Sequence, residues 1–118
     1  MEAVNERANG RGGPARVTVP VIQVLDLLLA EPARDDWFAL DICRQTGLGS
    51  GTVAQILFRL QDWGWVRSHW EDANEAHSRG RPRRRFYELT GHGAAEAREV
   101  LRRRFPGIAR WATAGEQA

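Results

Sequence analysis

The stretch Ser50–Gly64 constrains the fold more than any other part of this chain. Val53, Ile56, Leu57 and Leu60 recur at spacings of three and four, which puts them on one stripe of a helix. Ser50 stands where a capping hydroxyl takes up orphan N–H groups, and Gly64 stands where a left-handed residue ends a helix. Thr52, Gln55 and Arg59, with Asp62 at the end, form a row on the opposite face. An apolar side backed by a row of hydrogen-bonding side chains has the form of a major-groove reader. It also has the form of any surface helix, so the flanking segments must decide.

Upstream, Asp35 or Asp36 is expected to cap a helix over Trp37–Gln45, whose buried side is Trp37, Phe38, Leu40, Ile42 and Cys43. Gly47-Leu48-Gly49 then connects it to the first stretch, and helix, short Gly-bearing turn, helix is the helix-turn-helix signature. An earlier helix, Thr18–Ala30, has Thr18 as its cap and Pro20 in its first turn. Its residues Val21, Ile22, Val24, Leu25, Leu27, Leu28 and Leu29 make it apolar nearly all round. In a chain of 118 residues with a single core, such a helix calls for a second covering surface, and a partner subunit is the natural candidate.

Downstream, Trp65–Glu71 alternates as a strand, Asp72–Arg79 reads as a polar loop, and Phe86–Thr90 returns with Tyr87 and Leu89 on one face. A hairpin directly after a helix-turn-helix is a wing. Five arginines fall between Arg79 and Arg85. The net charge is only +2, but every positive side chain is Arg and none is Lys. Arg forks onto phosphate and guanine, although GC-rich codon usage also yields an all-Arg composition. Thr90 caps a last helix from Gly91 or His92, with Ala94, Ala97, Leu101 and Arg104 on its stripe, until Phe105-Pro106-Gly107 interrupts it. Ile108 and Trp111 can continue a short segment.

Several functional classes find no support. A single cysteine allows no internal disulfide and fits a reducing cytosol; Cys43 itself reads as a small core residue. His69, His77 and His92 are scattered without ligand spacing, so no metal site is expected, and nothing calls for a cofactor. No signal peptide is apparent, and the longest apolar run, Val17–Ala30, is too short to span a bilayer and contains Pro20, Gln23 and Asp26. The expectation is a cytoplasmic protein. No nucleophile–base pair, carboxylate pair or phosphate loop suggests an enzyme, so no residue is assigned a catalytic role.

The wording of the sequence also resembles that of a family. Thr46-Gly-Leu-Gly-Ser-Gly-Thr-Val53, Leu57-Phe-Arg-Leu60, Gly64-Trp-Val66, Trp70-Glu-Asp72 and Gly80-Arg-Pro-Arg-Arg-Arg-Phe-Tyr-Glu-Leu-Thr90 resemble the PadR-like winged helix-turn-helix transcriptional regulators, over roughly residues 20–103. The resemblance implies a homodimer, usually a repressor, often answering to small aromatic or drug-like molecules. It also implies a C-terminal helix packed on the partner's N-terminal helix. The sequence departs from the family at Ala54-Gln55, where relatives carry Tyr-Pro. That leaves the family's Tyr contact with the DNA backbone open, and Gln55 brings an amide suited to adenine. The short C-terminal region fits the subgroup with one terminal helix.

The expected fold is therefore mainly α with a small β-hairpin. Residues 1–16 read as a disordered arm in which Arg7, Arg11 and Arg16 can track a minor groove; 17–90 form the winged helix-turn-helix domain; 91–112 form the C-terminal dimerisation helix; 113–118 are a frayed tail. Double-stranded DNA is the expected partner. Ser50 and Gly51 approach a phosphate, Thr52, Gln55 and Arg59 read bases, and Arg81, Arg83, Arg84 and Arg85 hold the backbone or a minor groove. The chain has five tryptophans, of which Trp37 and Trp111 are the candidates for stacking a planar effector near a dimer seam. A winged helix used as a protein-interaction module or anti-regulator, binding no DNA, is the alternative; the near-neutral charge and the missing Tyr-Pro favour it, and the Arg-rich wing argues against it.

Overall fold

The computed structural model describes residues 17–104. In chain order it contains α1 (Val19–Ala30), α2 (Ala39–Thr46), α3 (Ser50–Asp62), β1 (Val66–Trp70), α4 (Ala73–Ser78), β2 (Arg85–Leu89) and α5 (Gly91–Arg104). The architecture is mainly helical with one two-stranded antiparallel hairpin, as expected from the sequence. The arm before residue 17 and the segment beyond Arg104, with Pro106 and Trp111, lie outside the described residues.

α1 is the central helix. Val21, Ile22, Val24, Leu25, Leu28 and Leu29 are all buried. α2, α3, α5 and β2 surround it, so the chain itself covers the apolar faces that had pointed to a partner subunit. Among its large apolar side chains only the first, Val19, stands well out of the core, at 66% exposure. Thr18 occupies the N-cap position and Pro20 the first turn as expected, but the Thr18 hydroxyl makes no capping bond.

α2 begins two residues later than the sequence suggested. Phe38, not Asp35 or Asp36, is its N-cap residue. The cause lies far along the chain: the Tyr87 N–H donates to the Trp37 carbonyl at 2.7 Å, and the two residues pair as an antiparallel bridge. Trp37 is thereby held extended beside the hairpin and cannot open a helix. Arg34 takes the acids instead, donating to Asp36 at 2.6 Å and to Asp41 at 2.7 Å. Leu40, expected inside, is 52% exposed, while Ile42 is buried and Cys43 packs at the core's edge.

α3 runs as expected, with Val53, Ile56, Leu57 and Leu60 buried. Its entrance differs: Gly49 is the N-cap residue, so Ser50 already lies in the first turn and its side chain does not cap. Its exit has the anticipated form. Gly64 is left-handed (φ 78°), its N–H donates to the Gln61 carbonyl at 3.0 Å, and the Trp65 N–H donates to Leu60 at 2.9 Å. These paired bonds satisfy the last carbonyls of the helix.

The hairpin pairs Val66 with Leu89, Ser68 with Tyr87 and Trp70 with Arg85. Its connection is not a simple loop. The Asp72 carboxylate accepts from the N–H groups of Asn74 (2.8 Å) and Glu75 (3.1 Å), and this cap starts the short helix α4, which buries Ala76. Thr90 caps α5 as expected, accepting from the Gly93 N–H at 2.8 Å. Ala94, Ala97 and Leu101 face the core.

Gly93 is where α5 meets the α3–β1 corner: a Cβ there would overlap the Trp65 carbonyl group. Gly93→Ala should therefore destabilise the fold by about 1–3 kcal/mol or more, because backbone must yield. Gly51→Ala, with open space around it, should be neutral or stabilising by up to about 1 kcal/mol. Denaturant midpoints of the two variants against wild type test the pair.

Candidate nucleic-acid interface

The buried stripe of α3 turns its other side to solvent. Ser50, Gly51, Thr52, Ala54, Gln55, Arg59 and Asp62 are all exposed. Thus every residue the sequence nominated on this helix is accessible, and Thr52, Gln55 and Arg59 share one outward row. No acidic side chain lies in the first turn to repel an anion. The N–H groups at the start of the helix, before the first internal bond (Val53 to Gly49, 3.0 Å), carry the partial positive charge that attracts one. Phe58 lies off the apolar stripe and was given no role in the sequence reading. It is 74% exposed on the same side of the helix, and a shallow cleft lined by Phe58, Gln61 and Asp62 adjoins it.

The wing arginines divide into two sets. Arg67 is paired with Glu88 (3.2 Å) and Arg79 with Glu75 (3.4 Å). Arg81 is held most firmly, its two terminal nitrogens donating to Glu71 at 2.5 and 2.9 Å. Glu71 is buried at 8% exposure and also accepts from the Arg84 N–H at 3.2 Å. The bonds from Arg81 lower its pKa to about 2 despite its burial, with the Arg84 N–H adding to the effect. Arg81 is thus occupied in bracing the outer end of the hairpin, just beyond the Trp70–Arg85 pair, which corrects its assignment as a free phosphate contact.

Arg83, Arg84 and Arg85 have no carboxylate partner among the described residues. They rest instead on aromatic rings. Arg84 lies 3.9 Å from the centre of Phe38, while Arg83 and Arg85 lie 5.4 and 5.1 Å from that of Trp70. Arg85 also donates to the Ser68 hydroxyl at 2.9 Å. A guanidinium held near a ring by cation–π attraction keeps N–H groups available, whereas one forked onto a carboxylate does not. Glu71 and Trp70 escaped the sequence reading; the signal was an acid and an aromatic at the end of a strand opposite an Arg run.

Trp37 is not available as a stacking platform. Its ring is 1% exposed and the Arg34 guanidinium covers it at 3.7 Å, so no face is open to a planar molecule. The other candidate, Trp111, lies outside the described residues. Among the described residues no group of three or more His, Cys, Asp or Glu could hold a metal ion, and no helix is long and apolar enough to cross a membrane.

No protein-family model matches the sequence, and no curated protein matches it. Solved structures do match its fold. A point mutant of Lactococcus lactis ZitR superposes with a TM-score of 0.58 at 15% identity, over 90% of this chain and 65% of that one. A mutant MepR from a multidrug-resistant S. aureus clinical isolate gives 0.57 at 20% identity, over 86% and 66%. Streptomyces coelicolor PcaV, a transcriptional regulator solved with its natural ligand, gives 0.54 at 21% identity, over 98% and 92%. ZitR is described as a zinc-responsive MarR family member. The chain spans slightly less than two thirds of the length of ZitR and MepR. These likenesses establish the winged helix-turn-helix fold.

The Glu71–Arg81 brace has a pH signature. Because the Glu71 pKa is lowered on folding, its contribution is complete above the ordinary value of 4.5 and disappears as pH falls towards about 2. Glu71→Gln should lower the thermal midpoint at neutral pH and speed amide exchange in 71–84, and its deficit against wild type should shrink through that acid window. Equal midpoints at neutral pH would show that the brace contributes nothing.

Proposed function

We propose that this chain is a sequence-specific, double-stranded-DNA-binding transcriptional regulator that acts as a dimeric repressor. α3 enters the major groove with Thr52, Gln55 and Arg59 towards base edges, and Ser50 and Gly51 near a phosphate. Arg83, Arg84 and Arg85 hold the sugar–phosphate backbone, with Arg81 bracing them from behind. What supports this reading is that those three arginines have no carboxylate partner among the described residues, together with an exposed polar face on α3. The regulators that share the fold support it, and so does the resemblance of the Gly-Thr-Val turn and the Arg-rich wing to PadR-like proteins.

The finer parts rest on that resemblance. A homodimer built partly through the C-terminal helix would place two copies of α3 about one helical turn of DNA apart. A small aromatic effector would relieve repression; PcaV, bound to its natural ligand, is a precedent for a ligand on this fold. Residence in the cytoplasm follows from a DNA partner in such a regulator. One observation favours a protein-interaction module instead, namely the exposed Phe58 beside its cleft. An isolated exposed apolar side chain is common on surfaces and outweighs neither the arginines nor the reading row.

The test is equilibrium binding of the full chain to duplexes enriched from a random pool, titrated with salt. Arg59→Ala should cost about 1–3 kcal/mol on the enriched duplex and relax preference at one base pair. Arg83→Ala, Arg84→Ala and Arg85→Ala should each weaken binding to every sequence and flatten the plot of log affinity against log salt by about 0.9. Arg81→Ala should loosen the wing without that loss of slope. Enrichment of no sequence, or binding indifferent to salt, would refute the DNA reading.

A further inference from the structure

Trp70 has no place in the function proposed so far, yet it is an exposed tryptophan in the most positive part of the wing. It is 53% exposed, while Trp37 and Trp65 are buried. Its position follows from the hairpin. Val66, Ser68 and Trp70 lie on one face of β1, opposite Leu89, Tyr87 and Arg85 of β2. The inner end of that face, Val66 with Leu89, belongs to the same core as the buried residues of α3. The face then runs outward through Ser68 and ends in solvent at Trp70. The aromatic surface therefore emerges on the side of the hairpin that packs with the reading helix.

The neighbours of the ring are two cations without acids. Arg83 and Arg85 lie 5.4 and 5.1 Å from its centre, and the Ser68 hydroxyl fixes Arg85 at 2.9 Å. Behind them the backbone is pinned: the Glu71 N–H donates to the Arg84 carbonyl at 2.8 Å, and the Arg84 N–H returns to the Glu71 carboxylate at 3.2 Å. The result is an apolar plate flanked by two cationic forks, of which Arg85 is held by a hydrogen bond. A nucleotide of a DNA strand has the complementary shape, with an anionic phosphate next to an apolar deoxyribose face and a base edge.

We infer that Trp70 is itself a DNA contact: its indole lies against the deoxyribose of a backbone nucleotide whose phosphate is taken by Arg83 and Arg85. This rests on the DNA-binding reading above and adds a non-ionic, sequence-indifferent anchor to it. An arginine deletion and a loss of Trp70 must then differ in kind. Removing an arginine flattens the salt dependence. Removing the indole weakens binding at every salt concentration and leaves the slope unchanged.

The experiment uses the full chain, one enriched duplex and one random duplex, with the affinity and salt slope of wild type, Trp70→Ala, Trp70→Phe and Arg83→Ala. Trp70→Ala should weaken both duplexes by the same factor, on the order of 10-fold, with the wild-type slope. Trp70→Phe, which keeps a ring, should recover most of the affinity. Acrylamide quenching of tryptophan emission should fall when wild type binds either duplex, and should change far less in Trp70→Phe. This last readout stands even if the alanine variant does not fold.

Trp70→Ala binding like wild type, or Trp70 staying open to acrylamide in the complex, overturns the inference while an intact Arg83 effect preserves the DNA reading. A slope flattened by Trp70→Ala as by Arg83→Ala also overturns it, since Trp70 would then act only by positioning arginines. Protection by a poly-glutamate peptide and not by either duplex overturns it in favour of an acidic protein partner. Wild type binding neither duplex overturns the DNA reading and this inference with it.

Discussion

The corner at Trp65 sets the relation between α3, the hairpin and α5. Its N–H closes the exit of α3 on Leu60, and its carbonyl accepts from the Thr90 N–H at 2.9 Å. The Thr90 hydroxyl donates to the Gly64 carbonyl at 2.8 Å while accepting from the Gly93 N–H, so one side chain bridges the end of α3 and the start of α5. The Trp65 ring is fully buried and meets Trp63 edge-on, with centres 5.1 Å apart. Three elements thus leave a single knot of backbone bonds. A rigid angle between α3 and the hairpin is what two elements need if they are to engage one duplex together.

The wing shows how a nearly neutral chain can present local charge. Overall the acids almost cancel the arginines, for a net charge of +2. The cancellation is not uniform: Glu88, Glu75 and Glu71 take Arg67, Arg79 and Arg81, leaving the run from Arg83 to Arg85 on Phe38 and Trp70. Exposed pairs such as Arg79–Glu75 contribute little to stability. Their larger effect is to decide which cations remain open. Aromatic support suits Arg better than Lys here, because a planar guanidinium can stack by its face and still donate from its edge.

Sequence signals were legible where structure is set within a few residues. The stripe of α3, the left turn at Gly64 and the Thr90 cap depend on near neighbours and appear where the sequence implied, and the alternation within each strand did the same for the hairpin. The errors arise where a distant residue decides. Trp37 looked helical until the Tyr87 N–H, far along the chain, claimed its carbonyl. Arg81 could not be told from Arg83 without knowing that Glu71 lies behind it. The apolar circumference of α1 called for a covering surface, and four elements of the same chain provide one. α4 was a different kind of omission: Asp72 followed three residues later by Glu75 is a local helix-start pattern that the polarity of the segment obscured.

In the proposed complex the two surfaces divide the labour. The wing supplies contacts that any duplex can satisfy, so it sets affinity and salt dependence, while α3 supplies the edge-reading groups that distinguish sequences. Ala54-Gln55 shifts that balance. Both residues are exposed one turn into α3, where the resemblance would place Tyr-Pro. A Tyr there would commit its hydroxyl to the backbone, adding affinity without discrimination. A small Ala beside a Gln amide lets the helix sit closer and offers a donor and an acceptor to a base edge. In the proposed complex the backbone contacts would then fall to the aromatic-backed arginines of the wing.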